Sequence, residues 1–83
     1  ELEAVADLKL KKFAERLKKE KNIIINFALD VVPKIVEKGF EPEFGTRSLN
    51  RFIENSIEDS IVTRIISGEL VEGSTVMISA DEL

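Results

Sequence analysis

Between Leu49 and Ile66 the apolar residues fall into two groups that a straight helix cannot bury together. Leu49, Phe52, Ile53 and Ile57 form one stripe, and Ile61, Val62, Ile65 and Ile66 form the next. At about 100° per residue the two stripes point in directions well over a right angle apart. A helix over residues 46–67 must therefore bend or restart near Glu58-Asp59-Ser60, with Asp59 or Ser60 as a new N-cap. Ser60 does not itself force a break, so a bent but continuous helix also satisfies the pattern. Gly68 ends the run.

The remaining elements follow from shorter signals. Leu2, Ala6, Leu10, Phe13, Ala14 and Leu17 keep helical spacing and predict an amphipathic helix over residues 2–19. Leu8 falls nearly opposite that stripe and Val5 to one side. Both are open to two readings, stray surface residues or contacts to a further domain. Asn22 breaks the run, and the β-branched Ile23-Ile24-Ile25 predicts a strand through Phe27, with Ile23, Ile25 and Phe27 on one face. Asp30 can cap a short helix over 31–38 whose first turn tolerates Pro33, with Val32, Ile35 and Val36 inward. Gly39 suits a left-handed C′ position followed by the apolar contact of Phe40. Residues 71–74 read as a turn, and 75–80 as a strand with Val76 and Ile78 on one face. The order is helix, strand, helix, helix, strand: an α/β chain whose two strands pair in parallel through a right-handed helical crossover.

Residues 39–51, Gly-Phe-Glu-Pro-Glu-Phe-Gly-Thr-Arg-Ser-Leu-Asn-Arg, join the second and third helices. Arg47 falls at the predicted start of the third helix, where free backbone N–H groups already concentrate positive charge. A cation there costs about 0.3–1 kcal/mol at an exposed site. Two partners would offset it: a phosphate, which matches both guanidinium and helix end, or a carboxylate of nearby Glu41 or Glu43.

The same residues resemble the segment of Clp-type AAA+ unfoldases, the ClpA, ClpB and ClpC group, usually written Gly-Tyr-Asp-Pro-x-Tyr-Gly-Ala-Arg-Pro-Leu-x-Arg. That segment lies in the C-terminal small, or lid, domain of the second ATPase module. Residues 55–78 look like the family's acidic pair, second short helix, Gly-Glu-Leu turn and final strand; residues 5–38 fit its opening more loosely. By position, the resemblance makes Arg47 the sensor-2 arginine that reaches the γ-phosphate of ATP, Gly45 the turn glycine that supports it, and Arg51 the later basic residue. It implies a small AAA+ lid domain with a two- or three-stranded sheet, the third strand starting near Asp81–Leu83. Thr46 stands for the usual alanine and Ser48 for the usual proline, which leaves the helix start less rigid. The resemblance further implies ATP as cofactor, with magnesium held by a large ATPase subdomain outside these 83 residues. Its implied partners are that subdomain, neighbouring subunits of a hexameric ring, protein substrates and a protease ring.

Composition narrows the chemistry. With no cysteine and no histidine, the chain has no disulfide, no thiolate metal site and no imidazole base. The serines have no adjacent base, and the carboxylate pairs Glu41/Glu43 and Glu58/Asp59 read as solvated loop or capping pairs. No GxxxxGK[ST] loop cradles phosphate. The expectation is no catalytic residue and no metal site in these residues alone. Residues 9–21 hold seven of the twelve basic residues against two acids. They alternate with the apolar stripe and read as a solvated helix face, not as a nucleic-acid or membrane surface. A DNA-reading helix is excluded by Glu54, Glu58 and Asp59 on its predicted surface. Residues 1–83 are expected to be one domain, the C-terminal small domain of a longer cytoplasmic chain (or organelle-matrix chain in a eukaryote). Two functions fit: the lid of an ATP-driven unfoldase, or a free-standing protein-interaction module in which Arg47 is structural.

Overall fold

Helix α1 spans Leu2–Lys21 and buries Ala6, Leu10, Phe13 and Leu17, the stripe that the spacing predicts. The computed structural model describes all residues 1–83. Glu1 caps α1 by accepting the Glu3 N–H at 3.0 Å. Asn22 ends it in a left-handed conformation, φ 54°, which asparagine tolerates better than most residues. Off-stripe Leu8 is 54% exposed, whereas Val5 packs partly against the core. Three of the basic residues of α1, Lys9, Lys11 and Arg16, engage carboxylates. Lys9 Nζ lies 3.0 Å from Glu54 and 3.8 Å from Glu58, and Arg16 lies 3.6 Å from Glu58. Lys11 pairs with Asp7 at 2.9 Å, and its hydrogen bond to that carboxylate, then the carboxylate's charge, raises Lys11 above the usual lysine range. No helix is long and apolar enough to cross a membrane.

Strands β1 (Ile24–Phe27) and β2 (Thr75–Ile78) pair in parallel, Ile25 opposite Val76 and Phe27 opposite Ile78. These four residues turn toward the helices, while Ile24, Asn26, Thr75 and Met77 face outward. The sheet has two strands. Residues Ala80–Glu82 form a 3-10 turn, closed by a capping box between Ser79 and Glu82, where the start of a third strand is expected from the resemblance.

Helix α2 covers Val31–Gly39 and buries Val31, Ile35 and Gly39, with Val32 and Val36 half-buried beside them. Asp30 occupies the N-cap position but makes no side-chain capping bond. Gly39 differs from expectation in a way that positions the site. It is the last residue of α2, not a left-handed residue beyond it. A Cβ there would lie 2.7 Å from both Cβ and Cγ of Phe52, so glycine is needed for the close approach of α2 to the next helix.

The third helical run does not restart. Helix α3 (Thr46–Ile53) passes into a π-helical turn (Glu54–Glu58) and then helix α4 (Asp59–Ile66), all in right-handed backbone geometry. Neither Asp59 nor Ser60 is an N-cap; instead the Asp59 N–H bonds the Glu54 carbonyl, five residues back. A π-turn adds one residue to a helical turn and so takes back about 100° of phase. That brings Leu49, Ile53, Ile57 and Ile61 onto one face, and all four are buried. The Ser56 hydroxyl donates to the Phe52 carbonyl at 2.6 Å, supplying a donor inside the widened turn. Sequence reasoning located the phase conflict correctly, but its second stripe does not stay together. Ile61 is buried and Ile65 half-buried, while Val62 and Ile66 face solvent, Ile66 at 81% exposure.

This rephasing separates neighbouring isoleucines energetically. Ile61→Ala should lower the unfolding free energy by about 2–5 kcal/mol. Ile66→Ala should change it by no more than about 0.5 kcal/mol. Urea denaturation of the two variants reads this directly; equal losses would contradict the π-turn.

Candidate functional site

The turn that delivers Arg47 is built from backbone and one hydroxyl. After α2, the Glu41 carbonyl accepts the N–H groups of Phe44 and Gly45, each at 3.0 Å, folding residues 41–45 back on themselves. Ser48 closes the loop: its Oγ donates to the Gly45 carbonyl at 2.7 Å and accepts the Glu41 N–H at 2.9 Å. Ser48 is buried, the one polar residue that is. Serine in place of proline therefore ties the helix start to the preceding loop, where loss of proline suggested a looser one. Gly45 sits at φ 58°, ψ −140°, a region close to glycine-only, although a side chain there would meet nothing within 4 Å. Its support of the turn is conformational, not steric.

Arg47 lies in the first turn of α3 and is exposed. That turn carries no acidic residue, and its N-cap, Gly45, has no side chain to offer the free N–H groups. Pairing with Glu41 or Glu43 does not occur: Arg47 is in none of the six ion pairs. It lines an open concavity of about 500 Å³ together with Lys38, Phe44, Arg51, Phe52 and Asn55, with Glu41 the single acid on its wall. Three cations thus line one open space beside the start of α3. The Ser48 hydroxyl, the nearest potential nucleophile, is committed to two backbone groups, and no group of acids is placed to hold a metal ion.

Sequence reasoning placed Arg47 and Gly45 as the structure has them, one at the helix start and one at the turn. It gave no site role to Lys38 or Asn55, which share the concavity. The signal for Asn55 is present in the spacing, since residues 47, 51 and 55 recur every four along one helical face. Lys38 carries none, because only the packing of α2 on α3 brings it there. A second concavity of about 600 Å³ lies between α1, β1 and the start of α2, with Leu29 beside it at 98% exposure.

Residues 1–78 match the family model described as the C-terminal, D2-small domain, of ClpB protein. Among individual proteins, the chain is 35% identical over 81 residues to the chloroplastic chaperone protein ClpC1 of Arabidopsis thaliana, covering 98% of this chain and 9% of that protein. It is 37% identical over 71 residues to the chaperone protein ClpB of Rickettsia conorii, covering 82% of this chain and 8% of the relative. A chloroplastic ClpA homolog of Solanum lycopersicum, CD4B, named as an ATP-dependent Clp protease ATP-binding subunit, is 33% identical over 81 residues. The chain thus spans less than a tenth of the length of these relatives.

Two substitutions test the turn. Gly45→Ala should cost about 1–3 kcal/mol of stability from backbone strain alone. Ser48→Ala should cost about 1–3 kcal/mol, because it strands the part-buried Glu41 N–H. Thermal unfolding of each variant measures both; unchanged melting temperatures would mean that the loop relaxes without either feature.

Proposed function

Because the chain belongs to the family of the C-terminal, D2-small domain of ClpB protein, we propose that it serves as the lid of an ATP-driven protein unfoldase, with Arg47 as the residue that senses the γ-phosphate. The observation that carries this reading is Arg47 itself, exposed and unpaired in a helix turn that lacks acids, in a chain where acids outnumber bases sixteen to twelve. A phosphate fits that environment, since guanidinium and free N–H groups both favour an anion and nothing on the helix end opposes it. Bound nucleotide supplies the phosphoryl group to be transferred. This chain's residues bind and orient: Arg47 holds terminal phosphate charge, and Gly45 and Ser48 fix the direction from which Arg47 approaches.

In this reading the chain is the small C-terminal domain of a longer protein, and contributes to ATP binding and hydrolysis, ring assembly and protein remodelling only within it. The large ATPase subdomain provides the nucleotide loop and the magnesium site. Neighbouring subunits of a hexameric ring, protein substrates and a protease ring are the further partners, and the cytoplasm or an organelle matrix is the compartment. Exposed Leu8, Leu29 and Ile66 are accessible to such partners, although single apolar residues on a surface are ordinary and do not by themselves mark a contact. The same residues would serve the competing reading, an interaction module without a nucleotide role.

Arg47→Ala separates the two. In the full-length ATPase it should lower turnover by removing a charge-assisted contact worth about 1.5–3 kcal/mol. The melting temperature of this chain should stay the same or rise slightly, since an exposed cation leaves a helix N-terminus. Lost stability with unchanged turnover would make Arg47 structural and favour the interaction module.

A further inference from the structure

Arg51 has no role in the reading above, yet its surroundings distinguish it. It follows Arg47 by four residues on α3, so the two side chains are neighbours one turn apart, and both line the concavity of about 500 Å³ beside Phe44 and Phe52. The chain has four arginines. Arg16 pairs with Glu58 and Arg64 with Glu69, whereas Arg47 and Arg51 have no carboxylate partner. Like charges at this spacing destabilise a helix. Lys38 of α2 lies on the same wall, and the single acid of that wall, Glu41, pairs with neither arginine. Lys38 Nζ is engaged with the Leu83 main-chain oxygen at 2.7 Å, while the two guanidinium groups remain free to make contacts.

We infer that Arg47 and Arg51 together form a site for adjacent phosphate groups of a polyphosphate chain, with Arg51 engaging the phosphate next to the one that Arg47 takes. The inference rests on the phosphate reading of Arg47 and extends it to a second residue. Each guanidinium offers a planar fork of donors that fits one phosphate, and Cβ atoms about 5–6 Å apart let two such forks converge on neighbouring groups. A single carboxylate from a partner would satisfy one fork and leave the second cation facing the first. A short chain of linked phosphates satisfies both, and its several charges match the two arginines.

The test is a titration of this 83-residue chain with sodium tripolyphosphate at low salt, following the arginine side-chain signals by NMR. The Nε–H signals of Arg47 and Arg51 should shift together along one binding curve. Arg51→Gln should weaken binding about two- to fivefold, the effect of losing one exposed ion pair, without lowering the melting temperature. Lys19→Gln, which removes an exposed cation of α1, should leave binding unchanged. A parallel titration with ATP distinguishes the sources: matching shifts assign the site to nucleotide phosphates, and shifts with tripolyphosphate alone assign it to free polyphosphate. Weakening by Arg47→Ala but not by Arg51→Gln overturns the two-arginine site and leaves the Arg47 reading standing. Equal weakening by Arg51→Gln and Lys19→Gln, or no binding at all, overturns the site altogether.

Discussion

Burial of Leu49, Ile53, Ile57 and Ile61 along one line is the constraint on which the rest of this molecule depends. The four residues recur every four positions, and an ordinary α-helix would carry such a line around its axis by about 40° at each step. One π-turn at Glu54–Glu58 absorbs most of that drift. The long helical run can then lie against α1 and α2 without a break, while Leu70, Val76 and Ile78 complete the same core. Without the π-turn, either Leu49 or Ile61 would leave the core.

Charge is arranged around that run with similar economy. Glu54 and Glu58 lie in the π-turn and engage Lys9 and Arg16, so these two acids of the third helical run point toward the basic helix α1. Pairs that water still reaches on at least one side add modest stability. Their effect here is one of placement: these acids are occupied on one side, and Arg47 and Arg51 are left without partners on another. A molecule with an excess of negative charge thereby keeps a positive wall.

The site stays in place because its scaffold leaves little room for adjustment. Gly39 lets α2 approach Phe52 to a distance that any Cβ would prevent, and this contact brings Lys38 to the α3 face. Ser48 then ties the intervening loop to the first turn of α3 with both its donor and an acceptor lone pair. A well-tied entry to the helix suits the role proposed for Arg47, because small displacements of a positioning group weaken its contact steeply. The sheet is the lesser partner. Two parallel strands with an uncharged outer face are marginal alone, and here they are held by their helix-facing residues.

Local chemistry in the sequence was enough for the element order, the α1 stripe, the parallel pairing of the two strands, and the positions of Gly45 and Arg47. These follow from periodicity, β-branching and turn residues, which act over a few neighbours. The sequence also showed that residues 46–66 hold a phase conflict, because stripe angles can be counted. It did not show the remedy: a kink, a restart and a π-turn all correct the same angle, and only packing against α1 and α2 chooses among them. Packing likewise decided that Ile61 is buried while Ile66 is not, and that Gly39 serves a close helix contact instead of a left-handed cap. Ser48 read as a lost proline because its two partners, Glu41 and Gly45, become neighbours only once the loop has closed. The spacing of Arg47 and Arg51 was legible, but their lack of carboxylate partners depended on where the folded chain sends its acids. That is a long-range outcome, set by the pairing of α1 with the π-turn.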